Sequence, residues 1–155
     1  MSDPPPPRPV RESRSELTEL ALPNDANGLG NLLGGKLLHL MDIAGSLAAA
    51  RHARKFVVTA SFDHMNFLVP VRIGQLVLLY SSVNRVFRTS MEVGVKAWVE
   101  DLRTGERQHV ASAYLTFVAL DEDRRPVAAP PVIPESEEEK RRFEEAGRRR
   151  ASRLR

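Results

Sequence analysis

The chain has 155 residues, enough for one domain with a moderate hydrophobic core. Apolar residues make up 42% and charged residues 28%, the balance of a soluble globular protein, and Lys36, His39, Asp42 and Arg51 interrupt the longest apolar run before it could span a membrane. The formal charge of +3 gathers in a basic end beginning at Lys140 and Arg141 rather than on a binding face, and the lack of cysteine excludes disulfides, thiolate metal sites and cysteine nucleophiles.

Residues 1–13 are rich in proline and charge and have no apolar core of the signal-peptide kind. Their composition predicts a disordered arm, and together with the missing cysteines it points to the cytoplasm. "SELTELALP" (15–23) reads as a short first strand that stops at Pro23. "NDANGLGN" (24–31) is loop chemistry, because Asn, Asp and Gly tolerate left-handed backbone angles. Gly34 and Gly35 then open a long helix through Ala53.

After the helix the pattern changes to strands. "KFVVTASFDHMNFLVPV" (55–71) and "IGQLVLLYSSVNRV" (73–86) are rich in β-branched and aromatic residues. Asp63, His64 and Asn66 interrupt the first of these and are read as lying at a dimer seam. "TSMEVGVKAWVED" (89–101) alternates, with Met91, Val93, Val95, Ala97 and Val99 on one side and Glu92, Lys96 and Glu100 partly on the other. A turn around Gly105 leads to a last strand at 109–121. One short strand, one long helix and four closely connected strands predict an α+β fold, an antiparallel sheet packed on a single helix. The domain is read as 14–125, followed by a proline-rich linker and a charged helix within 126–155. That helix has acidic residues first and basic ones last, as a helix dipole favours, and Phe143 and Leu154 as its large apolar groups. It is expected to be solvated. With no interleaved aromatics, its arginines are not read as a nucleic-acid site.

The central helix poses the functional question, because an aspartate sits in the middle of an apolar stretch. At 100° per residue, Gly35, His39, Asp42 and Ser46 share a stripe about 60° wide. Leu37, Leu38, Leu40, Met41, Ile43, Ala44, Leu47 and Ala48 occupy the remaining circumference, the side that can press on a sheet. The stripe is either a bland polar seam or the wall of a cleft. As a cleft it has a definite chemistry. The N–H groups of Gly34 and Gly35 have no side chain before them and suit a polarised carbonyl. A carboxylate two turns on could serve as general base for water or attack directly. There is no G-x-S-x-G nucleophile elbow, and the four scattered histidines lack metal-ligand spacing.

The segments "ALPNDANGLGNLLGGKLLHLMDIAGSLAAARHA" and "VVTASFDHMNFLVPVRIGQ", continued by "TSMEVGVKAWVED" and "ASAYLTFVALD", resemble the hotdog-fold acyl-CoA thioesterases, in the branch of the brain-type and short bacterial acyl-CoA hydrolases. The resemblance covers 17–121 and leaves both tails outside. It implies a helical "sausage" wrapped by an antiparallel "bun", and hydrolysis of acyl-CoA without a metal or redox cofactor. It also implies that Asp42 activates water or attacks the thioester, that Asn27 positions the water or thioester from the opposite protomer, and that the Gly35 amide holds the thioester oxygen. Arg88, Thr89 and Ser90 match a segment that lies near coenzyme A in such proteins. A shared site requires at least a homodimer, with a trimer of dimers favoured, and no membrane or nucleic-acid partner is expected. The rival readings are another hotdog enzyme, such as an enoyl-thioester hydratase or dehydratase, and a non-catalytic acyl-CoA sensor.

Overall fold

The computed structural model describes residues 4–154, His64 by its backbone alone. In chain order the elements are β1 (Arg8–Pro9), a 3-10 turn (Val10–Ser13), β2 (Ser15–Leu20), a second 3-10 turn (Pro23–Asp25) and the helix α1 (Gly34–Ala53). The strands β3 (Phe56–Phe67), β4 (Leu76–Phe87), β5 (Ser90–Glu100), β6 (Arg107–Leu120) and β7 (Val132–Ile133) follow, and α2 (Glu137–Arg153) closes the chain. Five strands form one antiparallel sheet in the order β2-β4-β5-β6-β3, while β1 and β7 pair in parallel beside it.

The alternation in 89–101 decides which face of the sheet is the core. Met91, Val93, Val95, Ala97 and Val99 are all buried, with Val77, Leu79 and Val83 of β4 and Ala113, Leu115 and Phe117 of β6 beside them. α1 lies across this face and touches all five strands, the hotdog arrangement. Small residues let it come close: Ala44 and Ala48 are buried, and a Cβ on Gly45 would sit 3.0 Å from the Phe117 ring. The buried Ser81 hydroxyl of β4 donates to the Ala44 carbonyl at 2.6 Å, fixing the helix along its axis. Leu47, read from the sequence as core-facing, is instead 39% exposed at the edge of the contact.

Two expectations for the tails are corrected. The arm read as disordered is ordered from Arg8: its backbone pairs with β7, Val10 is buried, and the Ser13 hydroxyl accepts the Val83 N–H at 2.9 Å. Tertiary partners overrode a composition that could not build structure alone. The C-terminal helix, expected to be solvated, packs on the outer face of the sheet. Ser136 and Glu139 cap it reciprocally, the first accepting from the Glu139 N–H and the second from the Ser136 N–H. Its anchor is Arg149, which donates twice, at 2.8 Å, to a Glu92 carboxylate that is 1% exposed and also accepts from Asn84 at 2.8 Å. Arg149 also lies 3.6 Å over the Tyr114 ring. Among the described residues, no helix is long and apolar enough to cross a membrane.

His52, at the end of α1, is fully buried, and its Nε2 lies 2.6 Å from the Pro130 carbonyl. Its other ring nitrogen has no partner among the described residues. A neutral ring with the proton on Nε2 fits this setting. Burial, followed by the nearby Arg8, holds its pKa below the ordinary 6.5 despite the favourable carbonyl.

Two stability predictions follow from these contacts. Between the depressed folded pKa and 6.5 the unfolded chain binds the proton that folded His52 refuses, so stability is complete above about pH 6.5 and declines as pH falls below it. Melting temperatures taken from neutral to mildly acidic pH should therefore drop more for the native chain than for His52→Gln. Replacing Arg149 with Ala strands a buried carboxylate and should cost about 3 kcal/mol in denaturant unfolding.

Candidate active site

The first turn of α1 is built to leave its amides open. Leu33, at the N-cap, supplies no side-chain cap, and its carbonyl accepts from the N–H groups of Lys36 and Leu37 at 3.0 and 3.2 Å. Gly34 and Gly35 are exposed, and a Cβ on either would meet nothing within 4 Å. Among the described residues no acceptor bonds to either glycine N–H. A helix N-terminus in this condition offers unshielded donors and the positive end of the helix dipole.

Asp42 lies on the same helix face two turns later, half-buried. The Thr59 hydroxyl of β3 donates to its Oδ1 at 2.6 Å. One carboxylate oxygen is thus tied to the sheet, and the other has no hydrogen-bond partner among the described residues. His39, between Gly35 and Asp42, is exposed, whereas Ser46 turns its hydroxyl to the Ile43 carbonyl of its own helix at 2.8 Å. The stripe expected from the sequence therefore divides, with Gly35, His39 and Asp42 open and Ser46 spent internally.

Asn27 organises the loop before the helix. Its Oδ1 accepts from the N–H groups of Leu29 and Asn31 at 2.8 and 3.1 Å, while its own N–H donates to the Asn31 carbonyl at 2.7 Å. Gly30 holds the turn at a φ of 80°, which a residue with a Cβ rarely adopts. Leu33 N–H to Asp25 carbonyl, 2.8 Å, and Leu32 N–H to Val71 carbonyl, 2.7 Å, bind this loop to the helix start and to the segment after β3. With its oxygen spent on the backbone, the Asn27 side chain has only its NH₂ donors to offer outward. Among the described residues no hydrogen bond joins Asn27 to Asp42.

Arg88, Thr89 and Ser90 form the β4–β5 turn, with Arg88 at a φ of 65°. The Arg88 and Thr89 carbonyls accept from the N–H groups of Ala129 and Ala119, and the Ser90 hydroxyl accepts from Arg150 at 3.3 Å. Through the register Ser90–Val118–Val58 this turn lies two strands from β3, and no hydrogen bond joins it to Asp42 or Thr59 among those seen for the described residues. Among the described residues no three His, Asp or Glu side chains gather as a metal site.

Thr59 is the residue the sequence did not reveal. A threonine in a strand rich in β-branched residues carries no signal, and only the packing of α1 on β3 shows what it faces.

Helix, sheet and loop together define a hotdog domain with a carboxylate and open helix-start amides on one wall. Comparison with known proteins supplies the family. Residues 29–106 match the model of the Thioesterase superfamily. The uncharacterized acyl-CoA thioester hydrolase YkhA of Bacillus subtilis is 46% identical over 82% of this chain and 74% of its own length. A structure described as an apo-hexameric acyl-CoA thioesterase superposes with a TM-score of 0.91 at 42% identity, over 96% of each chain. An acyl-CoA hydrolase of Staphylococcus aureus, solved with butyryl coenzyme A and coenzyme A, gives 0.86 at 33% identity over 96% of this chain and 93% of that one. Alanine variants of that hydrolase at an aspartate, an asparagine and a threonine have also been solved. This chain belongs to the Thioesterase superfamily, in its acyl-CoA thioester hydrolase branch.

The acceptor role of the Asn27 side chain in its loop can be tested by itself. Asn27→Asp keeps an acceptor for the Leu29 and Asn31 amides, whereas Asn27→Ala removes it. Hydrogen exchange at these two amides should stay slow in the first variant and become at least about ten-fold faster in the second.

Proposed function

We propose that this protein hydrolyses acyl-CoA thioesters to the free acid and coenzyme A without a metal or redox cofactor. The observation that carries the reading is the Asp42 carboxylate, held by Thr59 on the helix face that also presents the open Gly34–Gly35 amides. As general base, Asp42 takes a proton from water while the water oxygen attacks the thioester carbonyl carbon. The charge that grows on the carbonyl oxygen is met by the Gly35 N–H and the helix dipole. The C–S bond then breaks, its electrons pass to sulfur, and the proton held by Asp42 goes to the departing thiolate. Direct attack by Asp42 is the variant of this chemistry that the same geometry allows. Either route starts from the carboxylate oxygens of Asp42, one of which the Thr59 hydroxyl holds in place.

Asn27 is assigned to the opposite protomer, where its NH₂ would hold the thioester oxygen or the attacking water. The two sheet edges support such a dimer. β2 is short and carries exposed Glu16 and Glu19, which discourage pairing. β3 is twelve residues long and exposes Phe56 at 75% and Phe67 at 53%, with Val58 and Phe62 between them. A long apolar edge of this kind requires a partner strand, and a second copy along β3 supplies one. The hexameric and coenzyme A-bound relatives agree with a homo-oligomer that binds acyl-CoA, and a trimer of dimers is the assembly we favour.

The test is free coenzyme A release from a panel of acyl-CoAs, from acetyl to palmitoyl. Asp42→Ala should lose about 10²- to 10⁴-fold in kcat. Thr59→Val should lose about ten-fold in kcat with little change in KM, since it touches the base and not the substrate. Native rates in Asp42→Ala would overturn the mechanism. Tight acyl-CoA binding without hydrolysis by the native chain would mark a sensor instead.

A further inference from the structure

α2 meets the strands of the sheet one after another. In its first turn Glu139 accepts from Arg14, the residue before β2, at 2.9 Å. The Arg85 guanidinium of β4 lies 3.9 Å from the Phe143 ring and donates to the Phe143 carbonyl at 3.3 Å. Arg149 holds Glu92 of β5 and lies over the Tyr114 ring of β6. Arg153 ends the series with an ion pair to Asp63 of β3 at 3.3 Å. The sheet order is β2-β4-β5-β6-β3, so the helix crosses the outer face from one edge to the other.

The register sets the level of this crossing. Arg85 pairs with Glu92, Glu92 with Thr116 and Thr116 with Ser61. This row reaches β3 at its middle, because β3 runs from Phe56 to Phe67. A strand that pairs along its whole length with an antiparallel copy of itself places the two-fold axis at its middle. For β3 that is at Ser61 and Phe62, where α2 ends. The residue at this end is Leu154, whose N–H donates to the Arg150 carbonyl at 3.2 Å and whose side chain is 73% exposed. Phe143, the other large apolar residue of this segment, packs against the core instead. The arginines around Leu154 are engaged within the chain: Arg149 on Glu92, Arg153 on Asp63, and Arg150 over the Phe87 ring at 4.6 Å, which it shares with Arg85 at 5.4 Å. Two copies of this end therefore repel less than their basic sequence implies.

We propose that in the dimer the two α2 helices meet end to end across the two-fold axis, with Leu154 of each copy resting against that of the other. The proposal rests on the β3 pairing given above and assigns α2, which lies outside the matched family region, a contact with a second copy of this chain. The axis stands half a strand spacing, roughly 2.4 Å, beyond β3. Arg153 already reaches β3, so the residue after it arrives at the axis without any change in the fold. Burying the two exposed leucines against each other is what the contact gains, and it continues the apolar seam of β3 onto the outer face of the sheet.

The experiment uses the absence of cysteine, which makes an introduced thiol the only one in the chain. Full-length Leu154→Cys and Lys140→Cys, the second at the exposed β2 end of α2, are treated with a short bifunctional maleimide in dilute solution and run on a denaturing gel. Leu154→Cys should give at least about ten-fold more covalent dimer than Lys140→Cys, because neighbouring thiols react at a high effective concentration. Thermal melts establish that each variant is folded, and Ser152→Cys serves if Leu154→Cys does not fold. The seam is read separately by hydrogen exchange along β3 in the native chain, since its outward amides exchange slowly only where a second strand covers them. Equal cross-linking of the two variants, with those amides protected, would overturn the helix contact and leave the β3 pairing standing. Fast exchange of the outward β3 amides would overturn the pairing and the contact with it. Hydrolysis itself is read apart from both, by coenzyme A release from the native chain.

Discussion

The close seating of α1 on the sheet governs the rest of the molecule. A run of glycine and alanine on one side of the helix lets it approach until Gly45 meets the Phe117 ring, and the Ser81 hydroxyl then locks it lengthwise at Ala44. That approach brings Asp42 within hydrogen-bond range of Thr59 on β3. A bulkier helix face would raise the backbone from the sheet and take the carboxylate out of the hydroxyl's reach. Packing density and site geometry are here one constraint, because the same helix supplies the core on one side and the carboxylate on the other.

The two faces of the sheet use different physics. Toward α1 the contacts are chiefly apolar and depend on shape, with the Ser81–Ala44 and Thr59–Asp42 hydrogen bonds set among them. Toward α2 they are charged: a desolvated carboxylate, a bidentate guanidinium and three aromatic rings that carry cations. Breaking such a contact on one side leaves a buried charge, so the outer helix is bound to its place more specifically than an apolar contact would require. The N-terminal arm and the linker before α2 grip the end of α1 in a related way, with Arg8 donating to the His52 carbonyl at 3.0 Å and the buried imidazole meeting the Pro130 carbonyl. Segments that looked like tails therefore hold the end of the central helix.

The strands and the central helix were legible in the sequence because burial on one face imposes a period. Met91 to Val99 alternate for that reason, and all five apolar members of the series are buried. The loop before the helix was legible from its Asn and Gly content, and the family from the combination of that loop with G-G and M-D. Glu92 shows the opposite case. By alternation it belongs on the polar side of β5, and it is on that side, yet α2 covers it and converts an expected surface group into a buried anchor. Leu47 erred the other way, since a helix wheel assigns a direction without knowing where the sheet ends.

By itself the sequence determined the α+β layout, the span of the central helix and the polar stripe that carries Asp42, because periodicity and turn chemistry are local properties of a chain. Only the tertiary structure decided that Thr59 meets Asp42, that Asn27 spends its oxygen on its own loop, and that Arg85 and Arg150 share the Phe87 ring. Each of these joins residues from 2 to 65 positions apart through the direction in which a side chain points. That direction is fixed by how helix, sheet and loop pack, and no pattern along the chain records it.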